Sequence, residues 1–205
     1  MADPLDLLRR FVSPGDLAFD IGAHEGKHTA WLLELGASVI AIEPQPEMAK
    51  KIGAYSNRLE VLQVAVSDKG GQMIDLYISP GHEYVSTVER GYLEKVQTHA
   101  AYGYDLPISV PTVTLDGLIA HYGIPAFAKI DVEGHERAVF AGLSSAIPAL
   151  SFEVHDFDLA KADDVLARLA ELGNYETFFC SRESFEPDPW PAEVDIFGDI
   201  YAVLR

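Results

Sequence analysis

Phe19-Asp20-Ile21-Gly22-Ala23-His24-Glu25-Gly26-Lys27-His28-Thr29 joins an apolar run, Leu17 to Ile21, to a segment of helical spacing, Lys27 to Leu35. An apolar run that stops at glycine reads as a buried strand. A strand turning through glycines into a helix opens a βαβ unit, and open α/β sheets bind nucleotide-like ligands at this turn. Counting from Gly22, the third position is His24 and the sixth is Lys27, so a Gly-x-Gly-x-x-Gly dinucleotide fingerprint fails twice. Asp20 and Glu25 would oppose a pyrophosphate at the helix N-terminus. They suit a ligand carrying an ammonium and a sulfonium. Glu43 ends a second apolar run, Ser38 to Ile42. It stands about 20 residues beyond the first glycine, where an acid accepts hydrogen bonds from ribose hydroxyls. Ribose and positive charge without phosphate point to S-adenosylmethionine. The competing reading is a tight turn at Gly22 and Gly26, with Glu43 capping the next helix.

Outward from this stretch the pattern alternates. Helices are expected over Leu5 to Phe11, Lys27 to Leu35 (Ala30, Leu33 and Trp31 inward, Gly36 closing it) and Pro46 to Gly53. Strands are expected over Leu59 to Val66, Met73 to Ile78 and Ile108 to Val113. Leu115 to Tyr122 reads as a helix begun at Thr114. Phe127 to Val132 and Leu150 to Val154 read as strands flanking a helix at about His135 to Ala141. Leu159 to Leu172 is an amphipathic helix ended by Gly173, and Tyr175 to Cys180 and Ile196 to Leu204 are late strands. This is an α/β domain built on a parallel sheet. Residues 79–107 hold Tyr84, Tyr92, Tyr102 and Tyr104 without strong periodicity, which reads either as a substrate-side insertion or as a packing insertion. The chain is expected to be a single domain over residues 1–205.

Composition narrows the partners. The 205 residues are 48% hydrophobic and 23% charged, an ordinary globular balance. Fifteen Lys and Arg against 32 Asp and Glu give a net charge of −17, which disfavours nucleic acid and anionic membranes. Cys180 is the only cysteine, so a cysteine zinc site is excluded and a reducing compartment is expected. With no apolar run of membrane-spanning length and no signal-peptide pattern at the start, a cytoplasmic protein is expected. Monomer and homo-oligomer stay open.

Six segments together resemble the FkbM family of S-adenosylmethionine-dependent methyltransferases. They are Phe19 to Thr29, Ile42-Glu43-Pro44, Val64 to Asp68 (VAVSD), Val113 to Leu118 (VTLDGL), Lys129 to Glu136 (KIDVEGHE) and Phe152 to His155 (FEVH). They stand in the family's order, and KIDVEGHE is the most specific. The resemblance implies a Rossmann-like seven-stranded, mostly parallel sheet with an antiparallel last strand and helices on both faces. It implies a cofactor loop of Asp20, Gly22, Ala23 and Gly26, with Glu43 on the ribose, Ala65 and Val66 bordering the adenine, and Asp131 beside the cofactor's methionine end. His24, Thr29 and Pro44 lie in the matched segments and join the cofactor-binding candidates. The family usually has Asn at His24 and an apolar residue at Glu25. Ser86-Thr87 resembles a Ser-Ser pair in the family's variable middle.

Methyl transfer from a sulfonium is an in-line displacement, and a hydroxyl acceptor must also lose a proton. Asp131 and Glu133 are two apart at one strand end, Glu153 and His155 at another. Residues i and i+2 share a face of a strand, so the four groups are candidate catalytic residues for the ligand crevice. One reading makes His155 or Asp131 the base. A second places a divalent metal on Asp131, Glu133, Glu153 and His155. The third has Asp131 or Glu133 capping the next helix. We expect the metal-free form. Lys129 is placed to pair with a neighbouring carboxylate. His28, His82, His99 and His121 read as surface or packing residues, Trp31 as core and Cys180 as a buried small hydrophobe. Ser86, Thr87 and Trp190, the last among three prolines, are the candidate substrate contacts. The expected function is O-methylation of a sugar, glycan or polyketide-type hydroxyl. The alternatives are an N-acceptor, a catalytically silent cofactor-binding protein and a nicotinamide-dependent oxidoreductase.

Overall fold

The computed structural model describes residues 3–53, 56–99, 103–181, 187–188 and 197–205. The chain runs α1 (Pro4–Leu8), β1 (Leu17–Ile21), α2 (Lys27–Glu34), β2 (Ser38–Ile42), α3 (Pro46–Ile52), β3 (Leu59–Leu62), β4 (Ala65–Val66) and β5 (Met73–Leu76). It continues with α4 (Arg90–His99), β6 (Ile108–Val113), α5 (Leu115–Tyr122), β7 (Phe127–Ile130), α6 (Glu136–Ala141) and β8 (Ala149–His155). The last elements are α7 (Leu159–Leu172), β9 (Tyr175–Ser181), β10 (Pro187–Asp188) and β11 (Phe197–Leu204).

The main sheet has the order β10-β9-β11-β8-β7-β1-β2-β3. Strands β3, β2, β1, β7 and β8 are parallel neighbours, while β11 lies antiparallel between β8 and β9. This is the seven-stranded, mostly parallel sheet with an antiparallel last strand that the resemblance implies, with the two-residue β10 added at the edge as an eighth. The chain steps from β1 outward to β3 and returns to pair β7 on the other side of β1. That reversal opens a crevice beyond the carboxyl ends of β1 and β7.

Both faces of the sheet are covered. Phe19, Ile21, Phe152 and Ile200 pack with Leu115, Phe140, Val165 and Leu169, from α5, α6 and α7. Ala18, Val39, Phe127 and Tyr201 pack on the other face with Leu7 and Leu8 of α1 and Leu32 and Leu33 of α2. Thr114 caps α5 as expected, its hydroxyl accepting from the Gly117 N–H at 2.9 Å.

Three local readings change. Ala30 is exposed, and Leu32 takes the inward place on α2 beside Leu33. The expected strand Leu59 to Val66 is two strands: β3 pairs with β2, whereas β4 leaves the main sheet and pairs with β6, which also carries β5. Residues 79–107 are not merely irregular, because they contain α4. That helix is polar and buries Tyr92, so it shows no apolar stripe in the sequence.

One fully buried ion pair joins α6 to α7. Lys161 Nζ lies 2.8 Å from Glu136 Oε2, and neither side chain is exposed. Removing one partner of such a pair leaves a naked buried charge, at a cost of about 3–5 kcal/mol. Lys161→Met should therefore destabilise the protein by about that amount in urea unfolding, and Glu136→Gln added to it should recover much of the loss.

Candidate active site

A cavity of about 460 Å³ opens at the crevice beyond β1, β2, β7 and β8. Its floor is the turn after β1. Gly22 has φ +74°, and a Cβ there would fall 1.7 Å from the Asp131 carbonyl oxygen, so only glycine lets the ends of β1 and β7 meet. The Gly22 and Ala23 N–H groups donate to the Ile42 carbonyl at 2.9 and 3.1 Å, tying the turn to β2.

Glu43 sits at the centre of this half. Its Oε2 accepts from the His24 N–H at 2.7 Å and its Oε1 from the Gln45 N–H at 2.9 Å. The N-cap of α3 is Gln45 rather than Glu43, and Glu43, accepting from the Gln45 N–H, braces the residue that opens the helix while lining the cavity. Each carboxylate oxygen keeps a second lone pair for a hydroxyl. Burial pushes its carboxyl above the usual range, and the two N–H donors only partly oppose this. His24 has φ +50°. Its Nε2 is buried with no hydrogen-bond partner among the described residues. Burial lowers its imidazole, outweighing the Glu25 charge, which favours the neutral form at pH 7.

The expected cofactor residues divide in two. Gly22, Ala23, His24, Glu43, Pro44, Ala65, Val66 and Asp131 line the cavity. Asp20, Thr29 and Gly26 stand behind its wall. The Thr29 hydroxyl donates to Asp20 Oδ2 at 2.6 Å, and Lys129 Nζ lies 3.7 Å from Asp20 Oδ1. Lys129 also lies 3.3 Å from Asp131 Oδ2 and donates to the Gly22 carbonyl at 2.8 Å. The pairing expected of Lys129 thus binds β1, β7 and the glycine turn together. Glu25, on the rim, pairs with Lys51 at 2.6 Å. Trp31 and His28 line the cavity and also pack edge to face on each other with centroids 4.8 Å apart.

The other half gathers Glu133, Glu153 and His155. Asp131 shares the cavity but faces Lys129, so the four candidate groups form two sets. His155 Nε2 lies 3.0 Å from Glu153 Oε2. The imidazole is stacked between Phe157 (4.7 Å between centroids) and Phe197 (5.0 Å). Tyr92 donates its hydroxyl proton to Glu133 Oε2 at 2.6 Å, and the Tyr92 hydroxyl oxygen is 3.3 Å from His155 Nε2. The N-cap of α6 is His135, rather than Asp131 or Glu133. One atom each from Glu133, Glu153 and His155 lies within 4.8 Å of the others, a donor set compatible with a divalent cation.

Ser86 and Thr87 line the cavity, and the Thr87 hydroxyl donates to the Glu133 carbonyl at 2.6 Å. Trp190 and Tyr102 lie outside the described residues. Spacing gave no sign of Phe157, Phe197 or His135 as cavity residues. His135 bridges Ser67 Oγ at 2.9 Å and Glu89 Oε1 at 2.5 Å. Tyr92 is visible in the sequence only as one of several tyrosines.

The Methyltransferase FkbM domain family matches residues 20–175. A relative 26% identical over 162 residues is the hexuronic acid methyltransferase AglP of Haloferax volcanii, matched over 75% of this chain and 62% of that protein. A second, 33% identical, is the 31-O-demethyl-FK506 methyltransferase FkbM of Streptomyces tacrolimicus, matched over 74% of this chain and 70% of that protein. The chain therefore spans less than two thirds of the first relative's length. Among solved structures, a TehB-like SAM-dependent methyltransferase from Corynebacterium glutamicum superposes with a TM-score of 0.54 at 10% identity, covering 98% of this chain and 87% of that one. A precorrin-6y C5,15-methyltransferase from Geobacter metallireducens gives 0.52 at 11% identity, over 98% and 86%. These two show the fold. No helix among the described residues is long and apolar enough to cross a membrane.

Loss of a charged hydrogen-bond partner costs about 1–3 kcal/mol. Glu43→Ala should weaken S-adenosylhomocysteine binding by that amount in calorimetric titration, with NAD binding to neither form. Asp20→Ala should instead show its main effect in thermal unfolding, because it strips partners from Thr29 and Lys129 behind the cavity wall.

Proposed function

The chain belongs to the FkbM family of S-adenosylmethionine-dependent methyltransferases, and from that membership we propose that it methylates a hydroxyl of a small-molecule acceptor within a single cytoplasmic domain. The acceptor is a sugar, glycan or polyketide-type oxygen, in keeping with the hexuronic acid and FK506-type acceptors in the names of its relatives. The observation that carries the oxygen reading is the His155 imidazole, paired with the buried Glu153 carboxylate at the cavity. An amine acceptor needs less help from a base.

The lining suits the cofactor. Among the described residues, seven carboxylates and two lysines line the cavity, a balance that favours sulfonium and ammonium over phosphate. Glu43 would hold the ribose hydroxyls on its remaining lone pairs. Asp131 would face the ammonium, Ala65 and Val66 would flank the adenine, and His24 Nε2 would meet a polar group of the ligand. The bound cofactor supplies an electrophilic methyl carbon on a sulfonium.

The chain's own groups then manage the acceptor. His155 takes the hydroxyl proton as the oxygen forms its bond to the methyl carbon. The buried Glu153 carboxylate stabilises the resulting imidazolium. Phe157 and Phe197 shield the imidazole from water, which strengthens that pairing. Ser86, Thr87 and Trp190 are the proposed acceptor contacts.

The test is turnover to S-adenosylhomocysteine with a panel of hydroxylated acceptors and mass analysis of the product. An N-methylated product would overturn the oxygen reading. General-base catalysis contributes about 10²–10⁴-fold, so His155→Ala should lower kcat by that factor with S-adenosylhomocysteine affinity unchanged. A chelator should leave activity intact. Activity abolished by chelator and restored by magnesium or manganese would make Glu133, Glu153 and His155 a metal site instead.

A further inference from the structure

Tyr92 comes from the segment between β5 and β6, yet it reaches the proposed catalytic half of the cavity. Its side chain is 4% exposed, and its ring lies flush on Gly134, where a Cβ would fall 2.5 Å from the ring. Two further contacts seat this segment on the same turn: Thr87 to the Glu133 carbonyl and Glu89 to His135.

The proton count at its hydroxyl is decisive. A tyrosine has one proton to give, and Tyr92 gives it to Glu133 Oε2 at 2.6 Å. Toward His155 Nε2, at 3.3 Å, the oxygen can only accept. The second neighbour of that nitrogen, Glu153 Oε2 at 3.0 Å, is also an acceptor. A bare lone pair on Nε2 would point at acceptor lone pairs on both sides and be repelled by them, whereas an N–H there is attracted, so the proton belongs on Nε2. Burial and the Glu133 and Glu153 charges push the Tyr92 hydroxyl far above its usual range, so Tyr92 stays protonated and is not itself the base.

We infer that Tyr92 is a positioning residue for methyl transfer, holding His155 with its proton on Nε2 and so making Nδ1 the atom that accepts the acceptor's proton. This rests on the reading of His155 as the base. The balance is simple: the acceptor O–H breaks, its proton passes to Nδ1, and the oxygen's electron pair forms the bond to the methyl carbon as the carbon–sulfur bond breaks. Tyr92 also ties Glu133 down as a hydrogen-bonded carboxylate. Acceptor-side packing is thereby linked to the state of the base.

The charged groups around the pair are Glu133 and Glu136 on the β7–α6 side, Glu153 on β8, Asp199 on β11 and Lys161 on α7. Tyr92→Phe keeps the ring on Gly134 and removes only the hydroxyl. Long-range proton–nitrogen NMR of the full chain, without acceptor, reads the His155 tautomer directly. The wild type should show the proton on Nε2. Tyr92→Phe should show a mixed tautomer and a kcat lowered about tenfold with the cofactor KM unchanged. A wild-type proton on Nδ1 would overturn the inference. So would a Tyr92→Phe protein with the wild-type tautomer. Full turnover in His155→Ala would overturn the base reading beneath it, and the NMR, taken without acceptor, keeps the two failures apart.

Discussion

The ammonium of Lys129 is the point on which the site depends. It is 4% exposed at the end of a central parallel strand, where a lone charge would be very costly. It is tolerated because the Gly22 carbonyl, Asp131 and Asp20 surround it. Those partners come from the two strands on either side of the topological reversal, so one cation holds both lips of the crevice. Gly22 makes the closeness possible, since any side chain there would meet the Asp131 carbonyl. Asp131 is left partly neutralised and at the cavity wall. The same cluster that closes the core therefore sets the charge offered to a ligand.

This half of the site was legible in the sequence because its parts are local. Gly22 with Glu43, and Lys129 with Asp131, are short-range patterns whose geometry follows from strand pairing, and the register of β1 with β2 and β7 brings them together. The mostly parallel sheet and its antiparallel last strand follow from the family resemblance, while the order of the strands is not read from the sequence. What the spacing missed is whether a residue lines the cavity or stands behind it. Asp20 and Glu43 are both buried acids near the glycine turn, yet only Glu43 reaches the cavity. An acid inside a strand and an acid just past one differ by a rotation about the chain that spacing does not encode.

The other half was less legible because it is assembled from distant segments. Glu153 and His155 share a face of β8, as alternation requires. Of their partners, Phe157 follows directly after β8, while Tyr92 and Phe197 come from separate stretches with no common period. Helix α4 is polar and short of apolar spacing, so nothing in its sequence announces that Tyr92 is a buried residue at the cavity. Burial here is imposed by the turn it lands on rather than by its own helix.

That turn, Val132 to His135, is where the two halves meet. Glu133 has φ +50° and Gly134 φ +98°, a conformation costly for a residue with a side chain and cheap for glycine. The cost at Glu133 is offset by what the turn receives: the Thr87 hydroxyl on the Glu133 carbonyl, the Tyr92 hydroxyl on its carboxylate and Glu89 on the His135 ring. Every one of these contacts comes from the segment between β5 and β6. A change in that segment therefore reaches the proposed catalytic half by two routes, the strained turn and the direct approach of the Tyr92 hydroxyl to His155. The half around Glu43 is held mainly by Lys129 from within the sheet, and the same segment reaches it through one contact, the Gln45 side-chain amide donating to the Glu83 carbonyl at 3.0 Å. The two halves thus depend on that segment to different degrees: one through a single amide, the other through the strained turn and Tyr92.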